Sequence, residues 1–86
     1  MNPELNHTIE VHYFAMLREK AGTSQESVQV SSTMSYADLY RLLAHKHQFK
    51  LSLQEIQVAV NDEFTDLNDS ISKNAKIVFI PPVAGG

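Results

Sequence analysis

The stretch with the most chemistry in it carries the fewest functional groups. The sequence closes on PPVAGG, Pro81 to Gly86. Pro81 and Pro82 have no N–H to donate and hold φ near the polyproline value, so they end a strand and lead the chain away as a stiff arm. Pro81 also biases Ile80 toward extended geometry. Val83 and Ala84 continue the arm. Gly85 and Gly86 have no side chains, and glycine is the residue that lets another backbone approach closely. A narrow tunnel could grip such an arm through its backbone. The Gly86 carboxylate would then be its one reactive group, with no hydroxyl, amine or thiol nearby to intercept an activated acyl carbon. The competing reading of the same residues is a frayed, inert terminus.

The other candidates are weaker. His45 and His47 are two apart, so on a helix they point to different sides and cannot share a metal. His7 and His12 have no partners at ligand spacing. All four histidines read as solvated or packing residues, and Asp62, Glu63 and Asp66 as turn and solvation. No dinucleotide-binding glycine motif, P-loop or nucleophile elbow is present. With no cysteine, disulfides, thiolate metal sites and a cysteine nucleophile are excluded. If this chain handles sulfur, it carries it on some other group. No metal and no bound cofactor are expected.

Size and charge narrow the class. The 86 residues suffice for one small domain, and the formal charge is −3 with the basic residues scattered. No Lys/Arg run tracks phosphates, so nucleic acid is not an expected partner. The opening MNPELNHTIE lacks the basic and apolar regions of a signal peptide, and no apolar stretch is long enough to span a bilayer. A cytoplasmic location without membrane contact is the default expectation.

The elements that must position the arm follow from periodicity. Residues 1–7 are polar and expected to fray, residues 8–80 form the domain, and residues 81–86 form the extended tail. TIEVHYF alternates, with Ile9, Val11 and Tyr13 on one face, so it reads as a strand. AMLREKAG is a short turn-like or helical piece closed by Gly22. ESVQV is a second strand, close enough to pair with the first as a hairpin. The principal helix runs from about Ser35 to His47, with Ser35 and Asp38 placed as a capping box. Its apolar stripe is Tyr36, Leu39, Tyr40, Leu43 and His47, with Leu42 beside them. IQVAV is a third strand, Asn61-Asp62 a turn, and EFT a short fourth strand. Leu67 and Ile71 peg a polar crossing to the core. KIVFI is apolar on both faces, Ile77 and Phe79 on one and Val78 and Ile80 on the other, which places it centrally in its sheet. The pattern is an α+β fold with one main helix on one sheet face. Phe14, Val78 and Ile80 would lie on the other face, either under loops or as a surface for a partner.

These residues resemble a known group. VHYFAMLREKAG, VAVN and VFIPPVAGG together resemble the small subunit of molybdopterin synthase, of the ubiquitin-like β-grasp sulfur carriers. The likeness runs from Ile9 to Gly86, and the final segment is its most specific part. Two features depart from the pattern. SKNAK stands where a Gly-Asp-type turn is usual, though Asn74 tolerates the same backbone angles, and the N-terminal extension is longer.

The resemblance implies a β-grasp fold, a mixed sheet with a free C-terminal Gly-Gly tail, and a reaction cycle on Gly86. Its carboxylate would be adenylated with ATP on a separate E1-like activating enzyme, then converted to a thiocarboxylate by a sulfur-donating enzyme. The arm Pro81, Pro82, Val83, Ala84 and Gly85 would insert Gly86 into the large synthase subunit, in a heterotetramer. There the sulfur would pass to a cyclic pyranopterin monophosphate to build the molybdopterin dithiolene. Catalytic side chains would belong to the large subunit, and Phe14, Val78 and Ile80 would dock on both partners. Carriers for thiamine or tRNA thiolation, a ubiquitin-like protein modifier, and a binding module with an inert tail are the alternatives.

Overall fold

The computed structural model describes residues 7–82. Val83, Ala84, Gly85 and Gly86 of the expected arm, and residues 1–6, lie outside the described residues. The elements are β1 (His7–Tyr13), α1 (Ala15–Ala21), β2 (Gln25–Val30), α2 (Tyr36–His47), a 3-10 turn (Leu53–Glu55), β3 (Gln57–Val60), β4 (Glu63–Thr65) and β5 (Lys76–Ile80). The strands form one five-stranded sheet in the order β2-β1-β5-β3-β4. β1 and β5 run parallel and the other pairs antiparallel. β5 is therefore central, as its two apolar faces require. β1 begins at His7, one residue before the expected start of the domain. This is the β-grasp arrangement.

The period-2 pattern decides which face is buried. Ile9, Val11 and Tyr13 of β1, Val58 and Val60 of β3, and Ile77 and Phe79 of β5 turn toward α2 and form the core with Tyr36, Leu39, Tyr40 and Leu43. Ile71 is buried and Leu67 packs at the margin, so both pegs hold. Aromatic edges lock the centre, with the Tyr40 and Phe79 rings 5.3 Å apart and T-shaped. Leu42 departs from the expected stripe and is 48% exposed. It lies beyond the margin of a stripe whose buried positions are already filled by Leu39 and Leu43.

Local chemistry ends each element where the sequence signals it. Ser35 accepts from the Asp38 N–H and the Asp38 carboxylate accepts from the Ser35 N–H, both at 3.1 Å. The backbone hydrogen bond from Ser35 leads the effects that hold the Asp38 carboxyl below its ordinary range. Ser35→Ala is expected to lower stability by about 1 kcal/mol in denaturant melts. Gly22 takes φ 76° and its N–H closes α1 on the Arg18 carbonyl. Asn61 and Asp62 both have positive φ, 51° and 73°, the geometry of a two-residue hairpin turn. Asn74 has φ 58°, so it does take the left-handed geometry that replaces the usual glycine.

Ala15 also sits in the left-handed region, at φ 50°. This is where β1 turns sharply into α1, directly after Phe14. Every residue with a Cβ pays a cost at such an angle, a β-branched one the most. The aromatic-Ala pair of the sequence is the point of this turn, and Phe14 is left 52% exposed beside it.

One polar cluster joins β2 to the end of α2. The buried Tyr13 hydroxyl donates to Glu26 Oε1, His47 Nε2 lies 2.8 Å from the same oxygen, and Lys46 Nζ donates to Oε2 at 3.1 Å. Two of the histidines read as solvated or packing residues also pair with carboxylates: His47, which packs on Tyr13 and Phe49, with Glu26, and His12 with Glu10 at 2.6 Å. Strand pairing brings Glu26 under α2, which linear spacing does not show. Burial alone would raise the Glu26 carboxyl, but hydrogen bonds from Tyr13, His47 and Lys46, with the Lys46 charge, bring it from 4.5 down to about 2. Burial, and then the Glu26 carboxylate, push the Tyr13 hydroxyl far above its ordinary value.

The depressed Glu26 value fixes the sign of a pH effect. Its stabilisation is present above the ordinary value of 4.5 and lost as pH falls toward about 2. Glu26→Gln is expected to cost about 2 kcal/mol at neutral pH and to flatten the loss of stability between those two values. Chemical denaturation of both proteins across that window checks this.

Candidate functional site

The face of the sheet opposite α2 is built by the residues that alternate with the core. Strand register lays them out in rows. Gln25 faces His12, His12 faces Val78, Val78 faces Ala59, and Ala59 faces Phe64. One step toward the end of β5, Ile80 faces Gln57. Phe14 follows the Tyr13–Phe79 pair of the parallel ladder and so comes level with Ile80. One step the other way the row is charged: Glu10 faces Lys76, and Lys76 Nζ reaches Asp62 at 3.3 Å. The face is apolar near the tail root and ionic away from it. An apolar centre with a polar rim is the anatomy of a protein interface.

Exposure divides the apolar residues. Phe14 is 52% and Phe64 72% exposed, whereas Val78 is only 7% exposed and Ala59 8%. Ile80 is half-buried. Val78 is thus a floor beneath its neighbours, with the surface offered by Phe14, Phe64 and Ile80. Phe64 is the residue that sequence reading missed. EFT shows only an aromatic between two polar residues, and it is the β3–β4 ladder, setting Phe64 opposite Ala59, that makes it part of the face.

The tail root joins this face directly. Ile80, Pro81 and Pro82 line a cleft of about 280 Å³ with Gln54, Glu55, Ile56 and Gln57. Pro81 and Pro82 follow β5 without belonging to any element, so the central strand aims the chain out beside the apolar face. Gly86, Gly85, Ala84 and Val83 lie outside the described residues. Among the described residues no group of three or more His, Asp or Glu side chains is placed to hold a metal ion. No helix among them is long and apolar enough to cross a membrane.

Comparison with known proteins decides the family. The ThiS family model matches residues 11–86. This chain belongs to the ThiS family. A curated relative, the molybdopterin synthase sulfur carrier subunit of Mycobacterium tuberculosis, is 31% identical over 80 residues, covering 91% of this chain and 96% of the relative. Among solved structures, SAMP1 of Haloferax volcanii superposes with a TM-score of 0.75 at 25% identity, over 92% of this chain and 99% of that one. A complex of subunits 1 and 2 of the molybdopterin-converting factor of Helicobacter pylori contains a chain that matches with a TM-score of 0.63 at 25% identity, over 92% of this chain and 99% of that one. The chain is a ubiquitin-like sulfur carrier with the β-grasp fold.

Proposed function

We propose that this ThiS-family chain is the sulfur-carrier subunit of a molybdopterin synthase, with Gly86 as its reacting residue. The observation that supports this most is a continuous one. The central strand β5 has Val78 and Ile80 on its outer face and runs straight into Pro81 and Pro82, on the same sheet face that carries the exposed Phe14 and Phe64. A face and an arm placed side by side let one docking event deliver one terminus. The names of the Mycobacterium relative and the Helicobacter complex favour the molybdopterin pathway and a large-subunit partner.

The chemistry follows from what a carboxylate can do. It is a poor electrophile until made a mixed anhydride. On an adenylating enzyme in the cytoplasm, the Gly86 carboxylate attacks ATP and pyrophosphate leaves. Sulfur from a donor enzyme attacks the acyl carbon, AMP leaves, and Gly86 becomes a thiocarboxylate. Its sulfur is more polarisable than oxygen and so a better nucleophile toward the pyranopterin precursor. Hydrolysis of the resulting thioester returns the Gly86 carboxylate and leaves the sulfur on the product. Two such transfers make a dithiolene, each C–S bond replacing a C–O bond of the precursor, with one oxygen leaving on the opened cyclic phosphate and the other as water. The acid and base groups for the transfer to the precursor are assigned to the large subunit, and those for activation to the adenylating enzyme; Glu55 is the ionisable side chain lining the cleft at the tail root.

Intact mass of the chain purified from its native host tests the reading. The expected species carries sulfur in place of one terminal oxygen, and that species disappears when purified large subunit and precursor are added. A thiocarboxylate that persists in their presence would redirect the carrier to another acceptor. The likeness to SAMP1, a small archaeal modifier protein, supports a second reading in which the same tail is joined to lysines of other proteins. Conjugates of higher mass in the native host would favour it.

A further inference from the structure

The edge strand β2 carries a feature that the outer face and the tail do not use. The Tyr13 N–H donates to the Ser24 carbonyl at 2.9 Å, which sets the hydrogen-bonded pairs of the antiparallel ladder at Val11–Glu26, Ile9–Val28 and His7–Val30. Gln25, Ser27 and Gln29 alternate with these and turn their N–H and C=O groups away from the sheet. Gln25 is closed by its neighbour, since Thr23 Oγ1 donates to its carbonyl at 2.8 Å and accepts from its N–H at 3.4 Å. Ser27 and Gln29 have no backbone partner among the described residues. The strand has no lysine, proline or bulge to blunt this edge, and its one charged side chain, Glu26, is held inward by Tyr13, His47 and Lys46.

We infer that this edge is a contact between two copies of the chain, paired antiparallel and two-fold about Val28. The register follows from the groups left open. With Gln25 closed by Thr23, a two-fold pairing that uses both free residues sets Ser27 opposite Gln29 of the second copy. Every open N–H and C=O of the strand is then satisfied. Val28 stands opposite Val28 of the second copy, and Glu26 opposite its Val30, so no like charges meet across the seam.

The helix above the seam adds an apolar group. α2 runs antiparallel to β2, and Lys46 reaches Glu26. Leu42 is one turn before Lys46 on the same side of α2, about 6 Å along the axis, which matches the rise of about 7 Å from Glu26 to Val28. Leu42, exposed by nearly half, is therefore set on the same side of α2 as Lys46, and Val28 of the edge strand is half-buried. Pairing gives both residues an apolar neighbour from the second copy.

A self-complementary edge fits a second copy better than an unrelated strand, because hydrogen bonds, side chains and charge all match under the two-fold. The contact is small, well under the roughly 1,000 Å² of a stable interface, so the pair is weak. β2 and β4 are opposite edges of the sheet. The pairing thus leaves Phe64, Phe14 and the tail root of both copies open, and it stands apart from the sulfur-carrier reading.

Sedimentation equilibrium of the full chain tests it. The average mass is expected to rise from 9.7 kDa toward twice that as the concentration approaches about 1 mM. Amide exchange at Ser27 and Gln29 should slow over the same range. Ser27→Pro removes an N–H that the β1–β2 ladder does not use, so the fold remains and the mass should stay monomeric. Leu42→Lys changes an exposed helix residue and should weaken pairing at least tenfold. A wild-type chain that stays monomeric at the highest concentration overturns the inference. So does a dimer that forms undiminished in both variants.

Discussion

Deletion of Gly86 is expected to abolish sulfur transfer while leaving the melting temperature of the domain unchanged. The stability half of this rests on the core. Among the described residues the buried side chains all come from residues between Ile9 and Phe79, and Gly86 has no side chain to add to that core. The activity half rests on reach. Pro81 and Pro82 are stiff and start the tail in a set direction, so the length of the segment after them sets how far its end can reach into the partner's site. A carbon one residue short misses the nucleophile and the donors of the partner's site. Misplacement of a reacting atom by about 1 Å already costs about a hundredfold. Adding one residue after Gly86 should fail for the same reason. Gly85→Val should be nearly as damaging, because a β-branched side chain fills space that a backbone-gripping tunnel leaves for hydrogen alone. The decisive measurement bypasses activation. Full-length chain converted chemically to the Gly86 thiocarboxylate should form product with purified large subunit and no ATP. Product formed by the truncated chain in the complete system would mean that sulfur travels by another route.

The sequence reading reached the fold through patterns that are local. Alternation in TIEVHYF and KIVFI, the Ser35–Asp38 capping box and the Asn61-Asp62 turn each specify their element within a few residues, and each is present where expected. What it missed depends on strand pairing. Glu26 and His47 are far apart in sequence and meet only because β2 folds beneath the end of α2. Phe64 has an ordinary local context, and becomes part of a face only when the β3–β4 ladder sets it opposite Ala59. Val78 shows the converse. Its outward parity was legible, but its burial was not, because the side chains that wall it in come from neighbouring strands. The candidate site is thus half local, in the arm Pro81 to Gly86, and half a product of register.

Phe64→Asp is expected to weaken binding of the large subunit by at least about a hundredfold, with no loss of folding stability. The side chain is 72% exposed in the free chain, so replacing it removes little buried area and leaves an aspartate in water. In a complex the same aspartate would be buried against an apolar partner with no cation beside it. Truncated aromatic anchors at interface centres typically cost 2 kcal/mol or more, roughly a thirtyfold change, and an unpaired buried carboxylate adds to that. Phe14→Asp should behave alike, as a second exposed aromatic level with Ile80. Val78→Asp should not. At 7% exposure its carboxylate would be desolvated in the free domain between His12 and Ala59, so melting and binding should fall together. Calorimetric titration with the large subunit, set beside thermal melts of the three variants, separates these outcomes. Wild-type affinity in both Phe64→Asp and Phe14→Asp would show that the partner engages the tail alone and that the apolar face is not where it docks.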